Sequence, residues 1–196
     1  MDNDGWLDLF AVNGHVFPQV DTVEVGARYS QPVLLHRNNR DATFDEVSEQ
    51  AGLRALLLQS RRGAAFGDIN NDGNLEVFVL NVGEPPSLVV STTPNSNHRV
   101  LFKLVGTKSN RAAIGARVTI RSGGVLQFDE VRGGSSYVSL NDLRIHFGLG
   151  AAEKIDSVEI RWPSGKVETL ENVPADAIHT LVESSGIKDS HPLPRL

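Results

Sequence analysis

The sequence predicts an all-β chain of two units, and three observations carry that expectation. Short runs of alternating apolar and polar residues recur along the chain, bounded by Gly, Pro, Asn and Ser turn signals. An acidic loop of one pattern occurs twice, each time followed by such a run. A polar, proline-containing stretch, Pro85-Pro86 and then Ser91 to Asn97, separates residues 1–95 from residues 96–183.

In chain order, residues 7–12 read as a strand behind the first acidic loop, and residues 14–31 as an irregular connection around Pro18 and Gly26. Residues 32–37 form the next strand, 38–41 a turn, and 43–47 its hairpin partner. Residues 48–53 suit one helical turn closing at Gly52. Residues 63–80 are a strand-loop-strand unit around the second acidic loop. Beyond the boundary, residues 100–105, 116–121, 126–131, 142–147 and 157–162 alternate as half-buried strands, which suggests a small sandwich or barrel. Gly133-Gly134 suits a bulge or tight turn, and Pro163-Ser164-Gly165 a hairpin turn in which proline presets φ. Residues 184–196, with Ser184-Ser185-Gly186, Pro192 and Pro194, read as a flexible tail.

Residues 68–76 carry the chemistry. Asp68-Ile69-Asn70-Asn71-Asp72-Gly73-Asn74-Leu75-Glu76 places an oxygen-bearing side chain at every second position and a glycine after the third. A hard cation such as Ca²⁺ takes about six to eight oxygens. Alternation lets Asp68, Asn70 and Asp72 point inward, and the turn at Gly73 brings round the Asn74 carbonyl and the Glu76 carboxylate. Without a cation the three carboxylates repel one another, by about 4 kcal/mol for a pair roughly 4 Å apart in a surface-like dielectric. The spacing therefore predicts one Ca²⁺, with Mg²⁺ competing poorly because it demands a near-octahedral shell and keeps its waters.

The chain opens on the same pattern, since Asp2-Asn3-Asp4-Gly5-Trp6-Leu7-Asp8 matches Asn70 to Glu76 position for position. Asp2, Asp4, the Trp6 carbonyl and Asp8 are the corresponding ligands. The position equivalent to Asp68 would precede Met1, so a weaker second site is expected, on a polypeptide expected to extend upstream. An EF-hand would need a bidentate Glu at loop position 12 and flanking helices. That position holds Val79, and Ala11 in the first copy, with strands behind both loops. The remaining rival is a solvated polar hairpin that binds nothing.

Phe66-Gly67-Asp68-Ile69-Asn70-Asn71-Asp72-Gly73 resembles an FG-GAP (VCBS-type) repeat, the calcium-loop blade of integrin-like β-propellers. Ser109 to Ala116, Arg132 to Tyr137, His146-Phe147-Gly148-Leu149-Gly150 and Arg161 to Gly165 resemble, in order and spacing, the ASPIC/UnbV domain that follows such repeats. The resemblance implies partial β-propeller blades in residues 1–95 and an ASPIC/UnbV β domain in residues 96–183. A propeller needs about four to eight blades of four strands, and residues 1–95 supply between one and two. Upstream blades or a partner chain are therefore expected to cover the open sheet edges. An extracellular, periplasmic or cell-envelope location follows from the resemblance, with a signal peptide upstream and a protein or glycan ligand on the propeller surface. One departure concerns the turn at 38–41: where the family usually carries glycines, this chain has Arg40, Asp41 and Ala42, which leaves its tightness open.

Composition excludes several functions. No apolar run approaches a membrane span. Nineteen basic against 24 acidic residues leave a net charge of −5 and no basic stripe, which argues against nucleic acid. The absence of cysteine rules out disulfides and zinc–thiolate sites. A serine nucleophile at Ser135 or Ser136, served by His146 and Asp142 or Glu130, lacks the G-x-S-x-G elbow. His146 alternates with Arg144 opposite Leu143, Ile145 and Phe147, so both are expected on an exposed polar face, or else as a ligand-contacting pair.

Two function classes remain. The leading one is a noncatalytic, calcium-stabilised extracellular interaction module. The alternative is a secreted or biosynthetic enzyme, enediyne-related or carbohydrate-active, with its site in the C-terminal domain; no catalytic residues carry over for it. On the leading reading, chelation is expected to lower the melting of residues 1–95 and to leave that of residues 96–183 in place.

Overall fold

The computed structural model describes residues 1–56, 58–92 and 96–194, and among these fourteen strands form four open sheets. The first unit contains β1 (Leu9–Ala11), β2 (Leu34–Asn38) and β3 (Phe44–Glu46), an antiparallel meander. A second meander holds β4 (Arg61–Gly67), β5 (Glu76–Asn81) and β6 (Ser87–Val89). The sequence reading missed β6, whose turn is held by the Asn81 amide donating to Pro85 O at 2.6 Å and to Ser87 Oγ at 2.9 Å.

Alternation explains how the two meanders pack. Val33 and Leu35 with Leu53 on one side, and Ala64, Val77 and Val79 on the other, enclose Phe10, Val12 and Val89 between them. Phe10 meets Phe66 edge-on, with ring centroids 5.8 Å apart. The turn after β2 closes without glycine. Arg40 (φ 66) and Ala42 (φ 69) take the left-handed conformation, and Asn39 N–H reaches Thr43 O at 3.0 Å. The Asn38 and Asp41 side chains accept from the Arg40 and Thr43 amides at 2.8 and 3.0 Å, offsetting the strain. The helical turn at 48–52 ends at Gly52 as expected, with Leu53 N–H on Ser48 O at 2.8 Å and Gly52 N–H on Glu49 O at 2.9 Å.

The second unit is a sandwich. It contains β7 (His98–Val105), β8 (Arg117–Ser122), β9 (Val125–Glu130), β10 (Ile145–Gly150), β11 (Lys154–Arg161), β12 (Val167–Pro174), β13 (Ala177–Val182) and β14 (Gly186–Pro192). One sheet runs β10-β7-β13-β14 and the other β12-β11-β8-β9. Phe102, Leu104, Ile145, Phe147 and Leu181 from the first meet Val118, Ile120, Ile155, Val158, Ile160 and Trp162 around the second. Every other residue along β7 and β10 points in, which leaves Arg99, Leu101, His146 and Gly148 on the outer face.

Two expectations need correction. Residues 184–196 are not a frayed tail through their whole length: β14 pairs with β13 from Ala177↔Pro192 to Val182↔Gly186, and Leu193 beyond it is buried. Its side chains are mostly exposed and polar, as suits an edge strand paired through its backbone. Gly133-Gly134 lies between strands, with a bend at Gly133 in the long connection from β9 to β10, and the expected bulge is not what it forms. Of the expected linker, residues 93–95 fall outside the described residues.

Candidate metal centre

The end of β4 and the start of β5 face each other at Gly67↔Glu76, and the acidic loop spans the gap. Asn71 (φ 58) and Gly73 (φ 84) both take left-handed backbone, which curls the loop inward. Asp68 then accepts the Asp72 and Gly73 amides, each at 3.0 Å. Asn70 Oδ1 accepts the Asp72 amide at 3.0 Å and Asp72 Oδ1 the Asn74 amide at 2.7 Å. Glu76 Oε2 accepts the Ile69 amide at 2.8 Å, closing the ring. Among the described residues no three Asp, Glu or His side chains are gathered as a metal shell; the loop's acids are spent on its own amides.

One oxygen is left over. Asp68 is 1 % exposed and Glu76 2 %, and Glu76 Oε1 is buried with no donor. Buried polar atoms are almost always paired, and this chain shows how thoroughly it can pair one. Glu183, also buried, accepts the amides of Thr107, Lys108 and Ser109 at 2.7 to 2.8 Å, and the hydroxyls of Ser109 and Ser164 as well. Burial pushes the Glu183 carboxyl up, but these donors outweigh it and hold it well below the usual carboxylate range. At Glu76 the balance is reversed: burial raises its pKa, and Asp72 and Asp68 raise it further. Burial raises Asp68 too, against the pull of the Gly73 and Asp72 amides. Hard carboxylate and amide oxygens, with an unanswered carboxylate oxygen among them, fit a small divalent cation such as Ca²⁺.

The outside of the loop is held by the second unit. Arg144, just before β10, donates from Nη2 to Asp68 O at 2.5 Å and from Nη1 to Asn71 Oδ1 at 2.6 Å. Arg99 on β7 donates from Nε to Asp72 O at 3.2 Å, and from Nη2 to Pro194 O at 2.8 Å. His146 on β10 donates from Nε2 to Gly73 O at 3.0 Å. Burial, with Arg99 and Arg144 alongside, pushes the His146 imidazole down to about 4, so the ring is neutral at neutral pH. Asp142 N–H meets Phe66 O at 2.8 Å, and Phe66 N–H meets Asn141 Oδ1 at 3.1 Å. The exposed polar face expected for Arg144 and His146 is thus a contact face.

The first loop repeats the backbone of the second. Asn3 (φ 61) and Gly5 (φ 91) stand where Asn71 and Gly73 stand, Asp4 N–H reaches Asp2 Oδ1 at 3.2 Å, and Trp6 N–H reaches Asp4 Oδ1 at 2.9 Å. Its acids have other partners. Arg40 pairs with Asp4 Oδ2 at 2.6 Å, Asn38 N–H takes Asp8 Oδ1 at 3.0 Å, and the Met1 amine takes Asp8 Oδ2. The loops touch through Asn3 Nδ2 and Asn74 Oδ1 at 3.0 Å. This loop also lies on β10: Gly150 N–H donates to Asn3 O at 2.9 Å, and a Cβ on Gly148 would fall 2.6 Å from the Asn3 backbone.

Three of the side chains considered for acyl transfer are engaged elsewhere. His146 is on Gly73, Asp142 pairs with Arg144 at 2.5 Å, and Ser135 Oγ accepts the Asn141 amide at 3.2 Å. Sequence reasoning missed Arg99 and Arg40 and misplaced Arg144 and His146. A signal was present, because outward glycines at 148 and 150 in a strand mark the approach of another backbone.

Residues 1–79 match the FG-GAP-like repeat model and residues 106–188 the ASPIC and UnbV model. Cartilage acidic protein 1 of Homo sapiens is 32% identical over 190 residues, covering 93% of this chain and 26% of that protein. Its Xenopus tropicalis counterpart is 31% identical over 177 residues (86% and 25%), and that of Mus musculus 30% over 190 residues (93% and 27%). The chain thus spans about a quarter of the length of these relatives. Two open meanders carrying duplicate acidic loops, followed by an eight-stranded sandwich bearing the His146 to Gly150 motif, make this chain an FG-GAP-like repeat segment joined to an ASPIC and UnbV domain.

Proposed function

We propose that the chain is a noncatalytic, calcium-binding extracellular interaction module. Asp68, Asn70, Asp72, the Asn74 carbonyl and Glu76 would hold one Ca²⁺, whose charge answers the buried carboxylates. The observation that carries this reading is the donorless Glu76 Oε1, in contrast to Glu183 elsewhere in the chain, a buried carboxylate that accepts three amides and two hydroxyls. Asp2, Asp4, the Trp6 carbonyl and Asp8 form a weaker second site, because Arg40 already occupies Asp4. We read the two meanders as blades of an incomplete β-propeller whose surface binds a protein or glycan. Phe78, Leu80 and Leu88 are exposed on the outer side of the β4-β5-β6 sheet, and their face suits a neighbouring blade. The name of these relatives, cartilage acidic protein, agrees with an extracellular setting.

The enzyme reading has one observation in its favour, a cleft of about 770 Å³ lined by Lys103, Arg111, Asp142, Arg144, Asp189 and His191. Its acids are spent on Arg144 and on His191, the latter at 2.7 Å, which favours the binding reading. Titration calorimetry tests the proposal. One Ca²⁺ should bind with a dissociation constant of about 10⁻⁴–10⁻³ M, as in extracellular modules, and Mg²⁺ more weakly. Equal affinity for the two ions, or none for Ca²⁺, overturns it.

A further inference from the structure

The acidic loop presents two surfaces. Its side-chain oxygens point inward, and its carbonyls point outward at Asp68, Asp72 and Gly73. Each of these three carbonyls meets a side chain of the second unit, from Arg144, Arg99 and His146 respectively. Two of the donors are guanidiniums, whose charged N–H groups make the stronger class of hydrogen bond. Leu101, which faces His146 in the ladder, is fully buried although it lies outside the sandwich core, so this outer face is covered at Arg99 and Leu101, while Lys103 further along β7 is exposed. The first acidic loop is seated on the same strand, where Gly148 admits the Asn3 backbone. The β10 motif His146-Phe147-Gly148-Leu149-Gly150 therefore has two jobs. Phe147 and Leu149 fill the sandwich core, and His146, Gly148 and Gly150 receive both loops.

We propose that the outer face of β10 and β7 is a receptor surface for the acidic FG-GAP loops, so that a cation in residues 68–76 is felt across the boundary and the two units unfold together. The metal-dependent half of this inference rests on the calcium reading above; the docking half does not. It replaces the expectation that chelation spares residues 96–183. A cation that orders the loop orders the carbonyls that Arg99, Arg144 and His146 hold, and opening β10 from the loop must disturb the cation shell.

Differential scanning calorimetry and amide hydrogen exchange on the full chain, with EDTA and with saturating Ca²⁺, test both halves. The parent chain should show one transition in EDTA. The Arg99→Ala/Arg144→Ala variant should split it in two, and Gly148→Ala, which leaves the sandwich core and all charges untouched, should broaden or split it as well. At a Ca²⁺ concentration ten times the dissociation constant, exchange of the amides in residues 145–150 should slow by about tenfold in the parent and be unchanged in the double variant. Two separate transitions in the parent chain in EDTA, or a single transition that survives in both variants, overturn the docking. Ca²⁺ binding by calorimetry with no slowing at residues 145–150 overturns the coupling and leaves the calcium reading intact. Absence of Ca²⁺ binding removes the calcium reading and the coupling, while the split in EDTA still decides the docking.

Discussion

The loops at residues 2–8 and 68–76 share a backbone and differ in what answers their charge. Asparagine and glycine at matching positions set matching left-handed torsions, Asn3 with Asn71 and Gly5 with Gly73. The side-chain-to-amide bonds repeat as well, Trp6 N–H on Asp4 matching Asn74 N–H on Asp72. Around the first loop, Arg40 and Asn38 from the neighbouring hairpin reach in and bind the acids. Around the second, cationic side chains come from the other unit and stop at the backbone carbonyls, leaving the acids to the loop's own amides. Local sequence builds the cradle in both cases. The side on which a neighbouring arginine arrives decides whether the acids are already paired with a cationic side chain or only with the loop's own amides.

The hardest blow to this contrast is Asp68→Ala. It leaves the buried Gly73 amide without an acceptor, at about 1–3 kcal/mol for the unpaired donor, leaves the Asp72 amide only Asn70 Oδ1, and should abolish the Ca²⁺ heat in calorimetry. Asp72→Ala should abolish the same signal with a smaller loss of thermal stability, whereas Asp4→Ala should leave it in place. Retention of the signal by the Asp72→Ala chain would show the second loop to be a polar hairpin.

Charge-neutral substitutions sharpen the point. Glu183→Gln loses a carboxylate that accepts three amides and two hydroxyls, and should lower the melting temperature by several degrees. Glu76→Gln in EDTA should leave it unchanged or raise it, since the glutamine carries no charge into a buried site that supplies only one donor. Acid should act on Glu183 in the expected sense. Its folded pKa is depressed, so its contribution is complete above the unfolded glutamate value of about 4.3 and declines as pH falls below that. A melting temperature equally sensitive to both substitutions would remove the distinction between the two carboxylates.

The grip on the second loop has its own pH signature. His146 titrates near 4 in the folded chain, against about 6.5 when unfolded. The unfolded chain therefore binds the proton first. Stability linked to the neutral imidazole is full above about pH 6.5 and is lost as pH falls toward 4. A His146→Gln chain should lose less stability than the parent across that interval, measured as melting temperature against pH. Identical slopes would show that the ring does not titrate where its burial implies.

The smallest effect is expected at the first loop. Arg40 is more than half exposed, its side chain at 56%, so its ion pair is screened by solvent and Arg40→Ala should leave the melting temperature nearly unchanged. It should also free Asp4, and a second, weaker Ca²⁺ should become measurable at millimolar concentration. No change in stoichiometry would mean that Arg40 is not what separates the two loops.

Much of this was legible in the sequence because it is local. Strands 100–105 and 116–121 were read within two residues, since alternation along a strand is set by which face is buried. The turn at Gly52, the hairpin at Gly165 and the loop curl at Gly73 follow from residues within one turn of the chain. The edge strand β14 was missed because pairing through the backbone leaves no apolar alternation to see.

By itself, then, the sequence determined the all-β class, the duplicate acidic loop and the identity of the oxygens available in it: these depend on spacing and on torsions that asparagine and glycine allow. Only the tertiary structure decided which acids would be buried, which would be paired, and what would hold the loop from outside. Arg99 on β7, Arg144 just before β10 and His146 on β10 come from well beyond the loop in the chain, and no local pattern reveals that their donors end on its carbonyls. Burial and long-range hydrogen bonding are properties of the packed chain. Together they leave Glu76 Oε1 unanswered where Glu183 is answered five times over.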